Sequence, residues 1–122
     1  MPKLLIVDDE LDVREFAASF FRRRKIEVFT AQSGEKALEL IEKEKPDLVL
    51  LDISMAGLDG ITTLERIRCK DKQAKVIMVT GKEPQDTCSF DKCKELGALG
   101  YIHKPLKLDE LEKVVLKELG VP

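Results

Sequence analysis

Five short runs fit for strands alternate with five stretches of helical periodicity along the whole of this 122-residue chain. The runs cover residues 4–7, 27–30, 48–51, 76–79 and 101–103. Residues 4–7, 48–51 and 76–79 show no polar alternation, which predicts strands covered on both faces. Strand and helix alternating five times predict an α/β domain with a parallel sheet. Right-handed crossovers leave few topologies for it. The expected one is a doubly wound five-stranded sheet, order 2-1-3-4-5, flanked by five helices.

The helices are legible from their apolar stripes and ends. Val13, Phe16, Ala17 and Phe20 recur at i, i+3, i+4 and i+7 and predict the inward face of the first. Arg22, Arg23, Arg24 and Lys25 close it, suiting the negative end of the helix dipole better than a nucleic-acid patch. Ser33 is the expected N-cap of the second helix, with Glu35 in its first turn and Ala37, Leu38 and Ile41 inward. Pro46 stops it. Asp59-Gly60 opens the third, with Leu64 and Ile67 inward. The fourth rests on Phe90, Cys93 and Leu96 and closes at Gly97. Leu108, Leu111 and Val115 mark the last, with Asp109, Glu110 and Glu112 early in it.

Composition narrows the class. Apolar residues are 43% of the chain, enough for one core, so disorder is excluded. With no internal linker, residues 1–122 read as a single domain, and the chain ends just after the last helix, with no room for an output domain. No apolar run approaches a membrane span, and the N-terminus has no secretory signal pattern. The formal net charge of -2 predicts no direct nucleic-acid binding. Cys69, Cys88 and Cys93 form no Cys-x-x-Cys pair, and His103 is the single histidine, so the thiols are expected to be reduced in a cytoplasmic protein.

The chemistry sits where the strands end. Asp8 and Asp9 follow the first, Asp52 the third, Thr80 the fourth and Lys104 the fifth. In a sheet of this order all five lie on one edge, at the switch point where such folds bind ligands. Singly each has a bland reading as a turn residue or surface cation. Together, three carboxylates need a cation or protons to relieve their repulsion. Oxygen ligands without His or Cys select a hard ion, and Mg²⁺ suits carboxylates plus a phosphate. The set therefore suits metal-assisted phosphoryl transfer with a carboxylate nucleophile and Lys104 holding phosphoryl oxygens.

Over nearly its full length the chain resembles the receiver domain of two-component response regulators, a flavodoxin-like fold. The matching pieces are LLIVDDE (4–10), LVLLDISMAGLDG (48–60), VIMVTG (76–81) and GYIHKP (100–105). The resemblance implies that Asp52 is the phosphoacceptor. It implies that Asp8 and Asp9, with Asp52 and the Ser54 carbonyl, bind Mg²⁺, for which Mn²⁺ can substitute. Thr80 matches the switch hydroxyl, Tyr101 the aromatic switch, and Lys104 the phosphate-contacting lysine before a cis Pro105. A histidine kinase or histidine phosphotransfer protein is the implied donor, and an unidentified protein the downstream partner. Ala56 departs from a common Pro and Gly81 from a common Ala, while Ser54 and Lys82 occupy positions that tune hydrolysis in the family.

Other readings fit less well. An aspartate-nucleophile phosphohydrolase needs a second acid two residues after the nucleophile, where this chain has Ser54. A flavodoxin needs a small-residue phosphate loop where Asp8-Asp9-Glu10 stands. A phosphorylation-independent interaction module of the same fold is the serious alternative, opposed by retention of all five site residues. His103 as a phosphocarrier and Cys88 with Cys93 as a redox switch are disfavoured, the latter because a five-residue offset places them on different helix faces.

Overall fold

A computed structural model describes residues 1–53, 60–80, 87–103 and 107–120, with backbone alone at 87–90. Ser54, Lys104 and Pro105, with Ala56, Gly81 and Lys82, lie outside the described residues, as do the side chains of Cys88 and Phe90.

The chain alternates β1 (Lys3–Val7), α1 (Leu11–Arg22), β2 (Glu27–Ala31), α2 (Gly34–Glu44), β3 (Leu48–Asp52), α3 (Gly60–Lys70), β4 (Val76–Thr80), α4 (Thr87–Glu95), β5 (Gly100–His103) and α5 (Leu108–Leu119). The strands pair in parallel in the order β2-β1-β3-β4-β5, as the alternation predicts. Period-two alternation splits the sheet into two buried faces. Leu4, Ile6, Leu48, Leu50, Ile77, Val79 and Ile102 pack with Ala17, Ala18 and Phe21 of α1 and Leu111 and Val115 of α5. Leu5, Val7, Val49, Leu51, Val76 and Met78 pack with Ala37 and Ile41 of α2, Leu64 and Ile67 of α3, and Cys93 of α4. Every residue of β3 and β4 is buried, which accounts for their unbroken apolar runs.

The helix ends follow their chemistry. The Ser33 hydroxyl accepts from the Lys36 amide at 3.2 Å, so Ser33 is the N-cap of α2. Gly97 takes φ +82° after α4, while the Gly97 and Ala98 amides reach back to the Lys94 and Cys93 carbonyls, both at 3.0 Å. Arg24 donates to the Phe20 carbonyl at 3.1 Å near the end of α1 and pairs with Glu112 at 3.3 Å, so part of the basic cluster serves the helix end.

One stripe differs from expectation. The buried face of α1 is Arg14, Ala17, Ala18 and Phe21, one residue on from Val13, Phe16, Ala17 and Phe20. Phe16 is 54% exposed. The periodicity misleads because a charged residue, Arg14, occupies a core-facing position, and an apolar count rejects the frame that contains it.

Candidate functional site

Register brings the carboxyl ends of the strands together. Val7 pairs with Leu51, so Asp8 follows on beside Asp52. Asp52 pairs with Val79, so Thr80 lies one residue further along the next strand, opposite His103 of β5. Asp8 is 3% exposed, Asp52 2% and Thr80 0%. Such polar side chains persist inside a fold when each has partners. Each of the three engages one here. Thus Asp8, Asp52 and Thr80 lie on one sheet edge with Asp9 next in the chain, whereas Lys104 and Ser54 lie outside the described residues.

The corner after β1 is tightly built. The Asp8 amide donates to the Ala31 carbonyl of β2 at 3.1 Å, extending the ladder by one bond. The Glu10 amide donates to Asp8 Oδ1 at 2.9 Å, an Asx-type turn. Arg14, 9% exposed, donates from Nη1 to the Asp8 carbonyl at 2.8 Å. Asp8, Asp9 and Glu10 can each offer a carboxylate oxygen within 4.8 Å of the others. An all-oxygen, all-anionic donor set of that spread fits a hard divalent cation such as Mg²⁺.

The corner after β3 is tight for a different reason. The Gly60 amide donates to the Ile53 carbonyl at 3.0 Å, and the Ile53 amide to the Val79 carbonyl at 2.9 Å. The first residue of α3 thus packs on the backbone of Asp52 and Ile53. A Cβ at Gly60 would stand 2.2 Å from the Asp52 carbonyl oxygen and 2.6 Å from the Ile53 Cα.

Tyr101 lies opposite Met78 and packs partly buried against the cluster containing Met78, Cys93, Leu96 and Ala98. By alternation Thr80 faces the same side of the sheet as Met78. Burial, reinforced by the nearby Cys93 and Asp91, raises the Tyr101 phenol above its ordinary value, and a hydrogen bond with the Lys94 backbone opposes this. Tyr101 therefore packs beside the last turn of α4. That turn is also held from α3: Arg68 donates to the Leu96 carbonyl at 2.5 Å and the Gly97 carbonyl at 3.0 Å, and to the Ala74 carbonyl at 2.6 Å.

Sequence reasoning missed three participants. Glu10 stands within the LLIVDDE run but was not read as a donor. Arg14 gave no signal, because a lone arginine in a helix reads as solvated. The close approach at Gly60 arises from tertiary packing that periodicity does not encode.

Doubly wound α/β domains form a class whose ligands bind at the switch point beyond the strand ends, where the acids of this chain cluster. Within it, the model of the response regulator receiver domain matches residues 4–116, and the chain belongs to that family. It is 39% identical over 117 residues to sporulation initiation phosphotransferase F of Bacillus subtilis, spanning 96% of this chain and 93% of that protein. It is 36% identical over 117 residues to regulatory protein AtoC of Escherichia coli, spanning 96% of this chain but 25% of that protein. Among solved structures it is similar to response regulator protein TrrA of Thermotoga maritima in complex with Mg(2+)-BeF, with a TM-score of 0.84, 35% identity and coverage of 98% and 100% of the two chains. It is also similar to chemotaxis protein CheY4 of Vibrio cholerae, with a TM-score of 0.88, 27% identity and coverage of 98% and 99%. No helix among the described residues is long and apolar enough to cross a membrane.

Proposed function

We propose that residues 1–122 form a single-domain phosphorylation switch of the cytoplasm, in which Asp52 accepts a phosphoryl group from a phosphohistidine on a histidine kinase or histidine phosphotransfer protein. The observation that carries this reading is the burial of Asp52 at the end of β3, between the acidic corner after β1 and Thr80 at the end of β4. An Asp52 carboxylate oxygen attacks phosphorus, a P–O bond forms, and the P–N bond of the donor breaks. The imidazole leaves with the bonding electron pair. Asp8, Asp9 and Asp52, with Glu10 within reach and the Ser54 carbonyl assigned by resemblance, would hold Mg²⁺, or Mn²⁺ in its place. Such an ion supplies charge neutralisation at the phosphoryl oxygens.

Lys104 holds phosphoryl oxygens after transfer, and Thr80 donates its hydroxyl proton to one of them. The Thr80 side chain shares its side of the sheet with Tyr101, so a change at Thr80 reaches Tyr101 and the α4–β5–α5 face that a downstream protein reads. Slow self-dephosphorylation is the remaining chemistry, and the domain is a switch rather than a turnover enzyme. Phosphorylation by acetyl phosphate with and without Mg²⁺ tests the reading. Labelling should require the metal, and Lys104→Ala should still be labelled but fail to engage its partner. Labelling at an unchanged rate in a metal chelator contradicts the proposal.

A further inference from the structure

We infer that Arg14 is a positioning residue for the metal-binding corner, holding the peptide that leads from Asp8 into Asp9. The assignment rests on the metal reading proposed above. Arg14 is the buried residue in the first turn of α1, in a place where an apolar side chain would otherwise complete the stripe with Ala17, Ala18 and Phe21. Its Nη1 donates to the Asp8 carbonyl at 2.8 Å. Its own amide donates to the Glu10 carbonyl at 3.1 Å. That second bond is the first turn of α1, which any residue at 14 would make, so the contribution of the arginine itself is the bond to the Asp8 carbonyl, in the peptide that leads into Asp9.

The Asp8 carbonyl and the Asp9 amide belong to one planar peptide. Holding that oxygen restrains the peptide plane, and with it the position of the Asp9 Cα from which the carboxylate must reach the corner. The Asp8 carboxylate is held separately by the Glu10 amide at 2.9 Å. Asp9, next in the chain, is exposed. Partners behind a metal ligand commonly matter for affinity almost as much as the ligand itself.

Charge and geometry make opposite forecasts, which makes the assignment testable. Removing a positive charge beside three carboxylates would, by Coulomb attraction alone, tighten the binding of a divalent cation. Removing the clamp would loosen it. Mg²⁺ is titrated into wild type, Arg14→Met, Arg14→Lys and Asp9→Ala, following the amide chemical shifts of residues 8–10, with metal-free melting measured in parallel. Arg14→Met should bind about tenfold more weakly than wild type, at the lower end of what outer partners of metal ligands contribute. Arg14→Lys keeps the charge but not the planar fork, and should also bind more weakly. It carries the test by itself if the Met variant fails to fold. Equal or tighter binding in the folded Arg14 variants overturns the assignment. Wild-type binding that survives in Asp9→Ala, or no wild-type binding, overturns the metal reading and this inference with it.

Discussion

Gly60 lies directly against the backbone of Asp52: a Cβ at residue 60 would be 2.2 Å from the Asp52 carbonyl oxygen and 2.9 Å from its carbonyl carbon. The neighbour is main chain of a buried strand, so it cannot swing aside as a flexible side chain would. Alanine has the better helix propensity, yet here it must push α3 away from β3. Gly60→Ala should cost about 1–3 kcal/mol, the usual range for overpacking. Urea unfolding measures the loss, and the rate of phosphorylation at Asp52 should fall with it. Unchanged stability would mean the corner is looser than its geometry indicates.

Thr80 is fully buried and two residues beyond Met78, the partner of Tyr101 across the β4–β5 ladder. A hydroxyl donating to a charged phosphoryl oxygen contributes about 1.5–3 kcal/mol. That amounts to roughly a ten- to hundredfold population shift between two states. Thr80→Ala should accept the phosphoryl group but show much smaller chemical-shift changes in residues 91–96 and 101–115. Tyr101→Ala should uncouple the same face. Full-sized changes in the phosphorylated Thr80→Ala protein would place the coupling elsewhere.

Arg68 satisfies the carbonyls of Leu96 and Gly97 at the end of α4 and that of Ala74 before β4. Arg68→Met keeps much of the packing and removes these three bonds together with the longer ones to the Asp71 and Lys72 carbonyls, both at 3.5 Å. With the side chain partly exposed, water replaces some of them, and the expected loss is about 1–3 kcal/mol. Amide exchange should accelerate most at residues 96–99. Exchange that rises evenly over the whole chain would show that the clamp acts globally instead.

Cys93 is buried and Cys69 exposed, and burial raises the Cys93 thiol above its ordinary value of 9.0. Alkylation mapped by mass spectrometry should modify Cys69 in the native protein and Cys93 only as the chain unfolds. The pH dependence has a definite sign. Below 9.0 the thiol is protonated in both states and its contribution to stability is fully present. Above it, the unfolded chain loses the proton first, so stability falls as pH rises toward the folded-state value. The raised Tyr101 phenol acts in the same direction at higher pH. The alkaline decline should be shallower in Cys93→Ala than in wild type, and an identical slope would contradict the role of burial.

The fold was legible because its main signals are local. Leu48, Val49, Leu50 and Leu51 need cover on both faces, and Ser33 and Gly97 mark helix ends through their own backbone chemistry. The strand-end residues followed, since parallel topology places Asp8, Asp52 and Thr80 on one edge once the strands are found. What stayed hidden depends on tertiary approach. Arg14 was invisible because its burial makes sense only beside the Asp8 carbonyl, and it displaced the reading of the α1 stripe by one residue. The contact of Gly60 with Asp52 joins residues whose intervening segment has no periodicity to read.

The account turns on Asp52 as the nucleophile, and the most direct measurement is intact-protein mass with peptide mapping after incubation with Mg²⁺ and acetyl phosphate. Wild type should gain one phosphoryl group, labile to acid and base as an acyl phosphate is, carried by the peptide containing Asp52. Asp52→Asn should gain none, because an amide oxygen is too weak a nucleophile, while Mg²⁺-independent folding is retained. A phosphoryl group that appears on Asp52→Asn at the wild-type rate, or that maps to another peptide in wild type, would contradict the account.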